Sequence, residues 1–563
     1  MCGIFALLNN NTSMSVVESQ FIKGQNRGPE FSKLDDSYMK MVLGFHRLAI
    51  NGLNTESNQP LVVNDIVLIC NGEIYNYKQL YKYANVSPVT DSDCEVIIHL
   101  YLKYGMAHTL TMLDGVFSFI LYDNRIHADL NNKLFVARDP FGVRPLYYLK
   151  NSVTNLYGFA SELKCLQYFY NLDPVANAIT HISPGTYTVF NLSSTVNAKW
   201  LPEKENVSYF IPSFSHSWLI DNLTVPIFIA NMYPRIASYL LAAVNKRCLA
   251  TDRPIACLLS GGLDSSLITA LVNNFYKSHL FSNKLETYSI GLEGSEDLKY
   301  ARIVAEYLDT DHTEIIVTEQ EMFDAIPEVI HAIESYDTTT VRASIGNYLL
   351  GKYIAKHSKA KVIFNGDGSD ELLGGYLYMN KCPDDIEFDC ESRRLLKDIH
   401  LFDVLRSDKS ISSNGLEPRT PFLDRSFVNF VLSIPPYFRN HKHRDLPVEK
   451  YILRHSFSLE FITDFKGRSM LPDEILWRKK EAFSDGVSSK GRSLYTIFQE
   501  KIAELLNMRD GSRHLPTIDT EKMYYKQLFE SYFPKCSSIV PYYWMPKYVE
   551  TNDPSARTLD LYS

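Results

Sequence analysis

A cysteine at position 2 becomes the first residue of the chain once the initiator methionine is removed, which small second residues permit. A free α-amino group titrates at about 7.7–8.0, so near neutral pH it can take the adjacent thiol proton, and Cys2 needs no histidine to become a nucleophile. A second chemical signature is SGGLDSS (260–266), which follows the apolar run IACLL and opens a helical pattern. Glycines there let the backbone approach an anion, and the serine hydroxyls and helix N-terminus supply donors. A third, FNGDGSDELLGGY (364–376), closes the run KVIFNG and brings Asp367, Asp370 and Glu371 near the edge of a parallel sheet where ligands collect. The segment GNYLLGK (346–352) begins like a phosphate loop. Tyr353 follows it where Ser or Thr should ligate magnesium, and the surrounding pattern is helical, so it reads as core helix.

Two kinds of scaffold must position these groups. Up to about residue 190 the chain is dense in short β-type runs, MVLGFHRLAI, IVLICNGEIY, GVFSFILYD and KLFVARD, broken by NG, DN and NN turns, with few helical patterns such as DCEVIIHLYLKYG. A layered α+β domain over 2–190 is expected. Residues 191–230 are polar and non-periodic and read as a linker. From 231 the runs IACLLS, LETYSIGL, TEIIV and KVIFNG alternate with helical stretches, which predicts βαβ units and an α/β parallel sheet in a domain spanning 231–563. Its end, from about 390, reads as mostly helical.

Length and composition agree. At 563 residues the chain exceeds the roughly 250–300 residues at which single cores stop growing, so two domains are expected. A net charge of −8 offers no broad positive field for phosphate backbones or anionic lipid, which disfavours nucleic acid and membrane as partners. The start MCGIFALLNN lacks a basic region and a long apolar stretch, and nine scattered cysteines form neither a disulfide framework nor a zinc pattern. A cytoplasmic, reducing compartment is the expectation.

The N-terminal motifs RGP (27–29), HRLAI (46–50), CNGEIYN (70–76) and SDCEVI (92–97) recur in the order found in N-terminal-nucleophile glutaminases. The chain resembles the glutamine-dependent asparagine synthetases along nearly its whole length. The resemblance implies an Ntn-hydrolase-like αββα domain joined to an ATP-pyrophosphatase-like domain of the adenine nucleotide alpha hydrolase type. It implies that Cys2 attacks the glutamine carboxamide while the Asn71 side chain and Gly72 N–H stabilise the oxyanion. Arg47 would read the α-carboxylate and Glu73 with Asp93 the ammonium, with Leu48, Ala49, Ile50 and Asn51 completing the glutamine site. SGGxDS resembles the pyrophosphate loop of enzymes that adenylate carboxylates. That places ATP on Leu258, Ser260, Gly261, Gly262, Asp264, Ser265, Ile290, Asn365 and Gly366, and Mg2+ on Asp264 and Asp370. ESYDTTTVRAS (334–344) resembles the aspartate-binding stretch, implying Thr339 and Arg342, and RKKEAFSDGV (478–487) supplies Lys480 to neutralise phosphate charge.

Three positions depart from the family pattern. Asn26 replaces the His before RGP, and Asn365 and Asp367 replace the Ser and Glu of SGEGSDE. The family Glu is the residue proposed to deprotonate the attacking ammonia or bind substrate, and Asp is one methylene shorter, about 1–1.5 Å. The implied reaction makes asparagine, AMP, diphosphate and glutamate from aspartate, ATP and glutamine, with small molecules as partners and a homodimer as the assembly left open. Two alternatives stand beside it: an amide former acting on another carboxylate, such as a β-lactam synthetase, and a catalytically inert scaffold. Cys2 disfavours β-lactam closure, which needs no ammonia source. Intact Cys2, Arg47, Asp264 and Lys480 weigh against the scaffold, and Asp367 is the feature that reading can cite.

Overall fold

The computed structural model describes residues 2–125, 132–193, 197–213, 225–444, 446–481, 486–488, 492–511 and 513–555. Toward the amino end, a pair of antiparallel six-stranded sheets stack on each other. One runs, in spatial order, Asn177–His181, Tyr147–Asn151, Tyr157–Ala160, Gly3–Leu8, Met41–Arg47, Phe31–Tyr38. The other runs Trp200–Ser208, Thr186–Leu192, Lys133–Arg138, Gly115–Asp123, Ile66–Ile74, Leu61–Val63.

The strand period of 2 explains the layering, because successive side chains point to opposite faces. Val67 and Ile69 join Ile4, Ala6 and Leu8 in the core between the sheets. Ile66, Leu68 and Cys70 face the other way and pack with Leu80, Ile97 and Leu100 of the helices Tyr77–Ala84 and Val96–Met112. Phe5 and Leu7 likewise pack outward on Val17, Phe21 and Phe169 of the helices Met14–Phe21 and Gln167–Leu172. Both faces of each central strand are buried, which is why the sequence shows continuous apolar runs. The layers are αββα, as expected. Within Val96–Met112 the helix breaks at Gly105, whose φ of 74° and ψ of 167° lie outside the helical region.

Residues 191–230, read as a linker, contain more structure than their composition suggested. Trp200–Ser208 is an edge strand pairing with Thr186–Leu192 through an irregular register, and the helix Val225–Leu249 begins before 230. Four consecutive exposed residues of the edge strand, 203–206, are Glu, Lys, Glu and Asn, which hides its β pattern in a polar stretch. The remainder of the segment, 194–196 and 214–224, lies outside the described residues.

The rest of the chain is built on a five-stranded parallel sheet ordered Asp311–Ile316, Glu286–Gly291, Ile255–Leu258, Val362–Phe364, Glu417–Arg419. Chain order reverses at Ile255–Leu258: later strands add first on one side of it and then on the other. This is the topological switch point at which open parallel sheets form a ligand crevice beyond their carboxyl ends. The three-residue strand Glu417–Arg419 lies in the stretch read as helices and loops. It is too short to show a period. The segment 346–352 is inside the helix Thr338–His357, as the sequence indicated.

Candidate active site

At the amino end, strand Gly3–Leu8 pairs antiparallel with Met41–Arg47, Gly3 opposite His46, so Cys2 emerges beside Arg47 and Leu48. Its Sγ donates to the Leu48 carbonyl at 3.7 Å. Burial pushes the thiol up from its ordinary value, opposed by the Leu48 contact and the Arg47 charge. Arg27 of the RGP motif clamps the nucleophile's backbone: Nε donates to the Cys2 carbonyl at 3.0 Å, while Nη1 reaches Glu162 at 2.9 Å and Asp408 at 2.7 Å. Asp408 comes from the part of the chain built on the parallel sheet, so a buried ion pair ties Cys2 to that part. Breaking such a pair from one side costs about 3–5 kcal/mol.

Asn71 and Gly72 lie on Ile66–Ile74, opposite Ser118 and Phe117. A Cβ on Gly72 would come within 2.4 Å of the Val116 carbonyl, so only glycine fits there. Asn71 is fully buried, its Nδ2 donating to Ser161 Oγ at 3.3 Å. Leu48, Ala49 and Ile50 are buried in the loop that follows Arg47. Arg47 itself donates to the Asn54 carbonyl at 2.8 Å, to Asn58 at 2.6 Å and to the Gly52 carbonyl. Glu73 accepts from Asn51 Nδ2 at 2.5 Å and lies 3.7 Å from Arg419. Asp93 accepts from the Ile74 N–H at 2.7 Å.

Burial, the neighbouring Asp93 and Glu417 push Glu73 well above the usual carboxylate range, with Arg419 opposing. Burial pushes Asp93 up to about 6, partly offset by the Ile74 hydrogen bond. Two close buried carboxyls titrate as a pair, and an arriving ammonium relieves both. If Asp93 reads a substrate ammonium, as the resemblance implies, glutamine hydrolysis should lose kcat/KM as pH falls through about 6, when that carboxyl becomes neutral. Rates measured from pH 5 to 8 check this. A flat profile down to pH 5, or an unchanged acid limb in Asp93→Asn, would remove Asp93 from that role.

At the switch point of the parallel sheet, Ser260 to Ser265 turn tightly from strand to helix. Gly261 has φ 72°, and a Cβ there would sit 2.5 Å from Tyr300 and Ala301. Ser260 N–H donates to Ser265 Oγ at 3.1 Å. The helix Leu263–Ser278 starts at Gly262 with no side-chain cap, which leaves its first N–H groups for an anion. Arg478 stacks 3.9 Å from the Tyr300 ring centre and donates to the Gly261 carbonyl at 2.9 Å, bringing a cation to the loop.

The acidic segment packs directly on this loop: a Cβ on Gly366 would meet Asp264 Cβ and the Ser265 nitrogen at 2.8 Å. Ser369 Oγ donates to Asp264 at 2.8 Å. Lys450, almost fully buried, lies 2.5 Å from both Asp264 and Asp370, and Lys480 lies 2.7 Å from Asp370. Despite burial, the two lysines hold the Asp370 carboxyl well below the usual range. Lys450, 30 residues before Lys480 in sequence, carries no local motif in VEKYIL, and sequence reasoning missed it. Leu258, Ser260, Gly262, Asp264, Ser265, Ile290, Asn365, Gly366, Asp367, Asp370, Lys450 and Lys480 all line one cleft.

Family models match over nearly the whole chain: glutamine amidotransferase domain over residues 1–195 and asparagine synthase over 235–387 and 381–549. Asparagine synthetase [glutamine-hydrolyzing] of Gallus gallus is 40% identical over 583 aligned positions, covering 100% of this chain and 99% of the relative. The Homo sapiens protein of the same name is 38% identical over 577, with the same coverage. The chain belongs to the asparagine synthetase family. Among solved structures, glutamine phosphoribosylpyrophosphate amidotransferase from B. subtilis aligns over 56% of this chain and 80% of its own, at 16% identity and TM-score 0.30. An NH3-dependent NAD synthetase from Campylobacter jejuni aligns over 30% and 76%, at 19% identity and TM-score 0.19.

One residue expected at the acceptor end of this synthetase cleft is elsewhere. Thr339 lines the cleft, its hydroxyl buried without a partner among the described residues. Arg342 does not line it. Its guanidinium is 3% exposed and engaged by Glu521 and Asp553. Three apart on one helix, Thr339 and Arg342 start from the same face, but Glu521 and Asp553 draw the Arg342 guanidinium away, so a shared motif did not make them neighbours of one ligand. Arg406 does line the cleft, 3.3 Å from Asp367 and 2.7 Å from Asp403. Asp367 itself is raised above the ordinary range by burial, with Arg406 opposing.

Proposed function

We propose that the protein makes asparagine in two coupled steps, with glutamine hydrolysed by residues 2–190 and aspartate adenylated and amidated by 231–563. The observation that carries the reading is the cleft at the switch point. There an uncapped helix N-terminus, two carboxylates and two lysines share one cleft with the Asp367–Arg406 pair. The first group suits the phosphates of ATP, and the second suits a small dicarboxylate.

In the first site the Cys2 thiolate attacks the glutamine carboxamide carbon, the oxyanion is held by Asn71 Nδ2 and Gly72 N–H, and ammonia leaves a thioester that water hydrolyses to glutamate. In the second, the aspartate β-carboxylate attacks the α-phosphorus of ATP and diphosphate departs, with Lys480 offsetting its charge. Ammonia then attacks the acyl carbon, AMP leaves, and Asp367 takes the proton. Arg406, rather than Arg342, reads a substrate carboxylate. Free ammonia would be protonated in water, so an enclosed path between the sites is integral to the reading. In support, the glutamine loop packs on the synthetase domain: Arg253 Nε donates to Ala49 O at 2.8 Å and Asp252 N to Ile50 O at 2.9 Å.

Mg2+ suits this donor set, because two carboxylates that already share one ammonium can share a hard cation, and the phosphates complete its shell. Asp264 and Asp370 would hold it, and it would neutralise phosphate charge. No helix among the described residues is long and apolar enough to cross a membrane. The nine cysteines are all free, which supports a reducing, cytoplasmic setting.

Product analysis with ATP, Mg2+, glutamine and a panel of carboxylic acids tests the reading. AMP and diphosphate should form in equal amounts with aspartate as the preferred acid. Stoichiometric ADP and phosphate would rule out adenylation, and a different preferred acid would replace aspartate.

A further inference from the structure

Arg342 and the C-terminal segment explain each other. After the helix Ile518–Tyr532 and the turn Ser537–Ile539, the chain returns to the first turns of the helix Thr338–His357 and is fastened there twice. The first fastening is at Asp337. Its Oδ2 caps the helix, accepting from Thr340 N at 2.9 Å, and its Oδ1 accepts from the backbone N–H of Trp544 at 2.7 Å. The second is at Arg342, whose Nη1 and Nη2 donate to the two oxygens of Asp553 at 2.8 and 2.9 Å. Glu521 takes Nε and Nη2 at 2.9 and 2.5 Å, and Gln499 adds a bond to Asp553 at 2.9 Å. A planar fork between two carboxylates gives direction as well as charge.

At the first fastening the segment presents the Trp544 side chain, 7% exposed, to the cleft. The indole packs on Tyr376 at 5.3 Å and Tyr378 at 6.1 Å between ring centres. Tyr376 in turn donates to Glu371 at 2.6 Å and lies under Lys480 at 5.9 Å. Thr339, Asp403 and Arg406 line the same cleft. A rigid aromatic wall held from outside the sheet limits how long a molecule the acceptor end can take.

We propose that residues 544–553 are a strap that walls the acceptor end of the cleft, with Trp544 a specificity-determining residue for the carboxylate substrate and Arg342 and Asp553 positioning residues that hold the strap. The inference rests on the synthetase reading above and names how it selects its acid. Aspartate fits beneath the indole, and its homologue glutamate, one methylene longer, does not.

The test compares the full-length protein with Trp544→Ala, Trp544→Phe and Asp553→Asn, each with ammonium salt as nitrogen source. Trp544→Ala should raise the aspartate KM about tenfold or more and cut the aspartate-over-glutamate preference by a similar factor. The ATP KM and glutamine hydrolysis should stay within twofold, and Trp544→Phe should recover most of the preference. Asp553→Asn keeps Glu521 on Arg342, so the fold should persist. It should raise the aspartate KM with kcat nearly unchanged and speed hydrogen exchange in residues 544–553 alone. The parent protein with aspartate reports separately on the reaction itself. With that control forming asparagine, unchanged aspartate KM and unchanged acid preference in folded Trp544→Ala would overturn the strap. So would faster exchange in Asp553→Asn with no change in aspartate KM.

Discussion

Cys2→Ala is expected to abolish asparagine formation from glutamine, to background, while synthesis from ammonium salt stays within about twofold of the parent. Loss of a catalytic nucleophile is among the largest single-residue effects known, of the order of 10⁶-fold in a well-studied protease. The structure explains why the damage should stop there. The backbone carbonyl of Cys2 is held by Arg27, and alanine leaves that bond intact. The thiol's own hydrogen bond, to Leu48 at 3.7 Å, is weak. The synthetase cleft contains none of the residues around Cys2. Asparagine assayed with glutamine and then with ammonium chloride separates the two sites, and loss of both activities in a folded variant would contradict the two-site account.

Asp367→Asn is expected to lower asparagine formed per diphosphate released by about 10²–10⁴-fold, the range for removing a general base. Amide and carboxylate are nearly isosteric, and Arg406 keeps its shorter contact to Asp403 at 2.7 Å, so the wall of the cleft should hold its shape. On the proposed reading adenylation uses Lys480 and the 260–265 loop, so diphosphate release should persist. Because burial raises Asp367, its proton-accepting form is lost at a higher pH than for an ordinary carboxyl, and the ammonia step should weaken accordingly on acidification. Asp367→Glu should keep or raise synthesis if the cleft accommodates one more methylene. An unchanged ratio in Asp367→Asn would remove this carboxylate from ammonia capture and restore weight to the scaffold reading.

The legible stretches of the chain were those whose chemistry is local. A strand ending in SGGLDSS needs no tertiary information to be read as an anion loop, because the glycines and hydroxyls lie within one turn. The sheet-rich character of the amino-terminal domain was legible in short β runs such as IVLICNGEIY, whereas the αββα layering followed only from the family resemblance. What escaped was set by distant partners. Arg342 sits in a motif beside Thr339, yet its direction depends on Glu521 and Asp553, about 180 and 210 residues away. Lys450 gains its meaning only when Asp264 and Asp370 close on it. Arg406 and Trp544 come to the cleft from segments without a sheet pattern of their own. The edge strand Trp200–Ser208 was masked by the polar residues that protect sheet edges.

The most direct test of the whole account follows nitrogen and phosphate together. The protein is given aspartate, ATP, Mg2+ and glutamine labelled with ¹⁵N in the side-chain amide, with unlabelled ammonium in solution. The account predicts ¹⁵N-labelled asparagine, AMP and diphosphate in equal amounts, with little dilution of the label. Unlabelled asparagine would contradict an enclosed transfer from Cys2 to the cleft, and ADP with phosphate would contradict adenylation at the 260–265 loop.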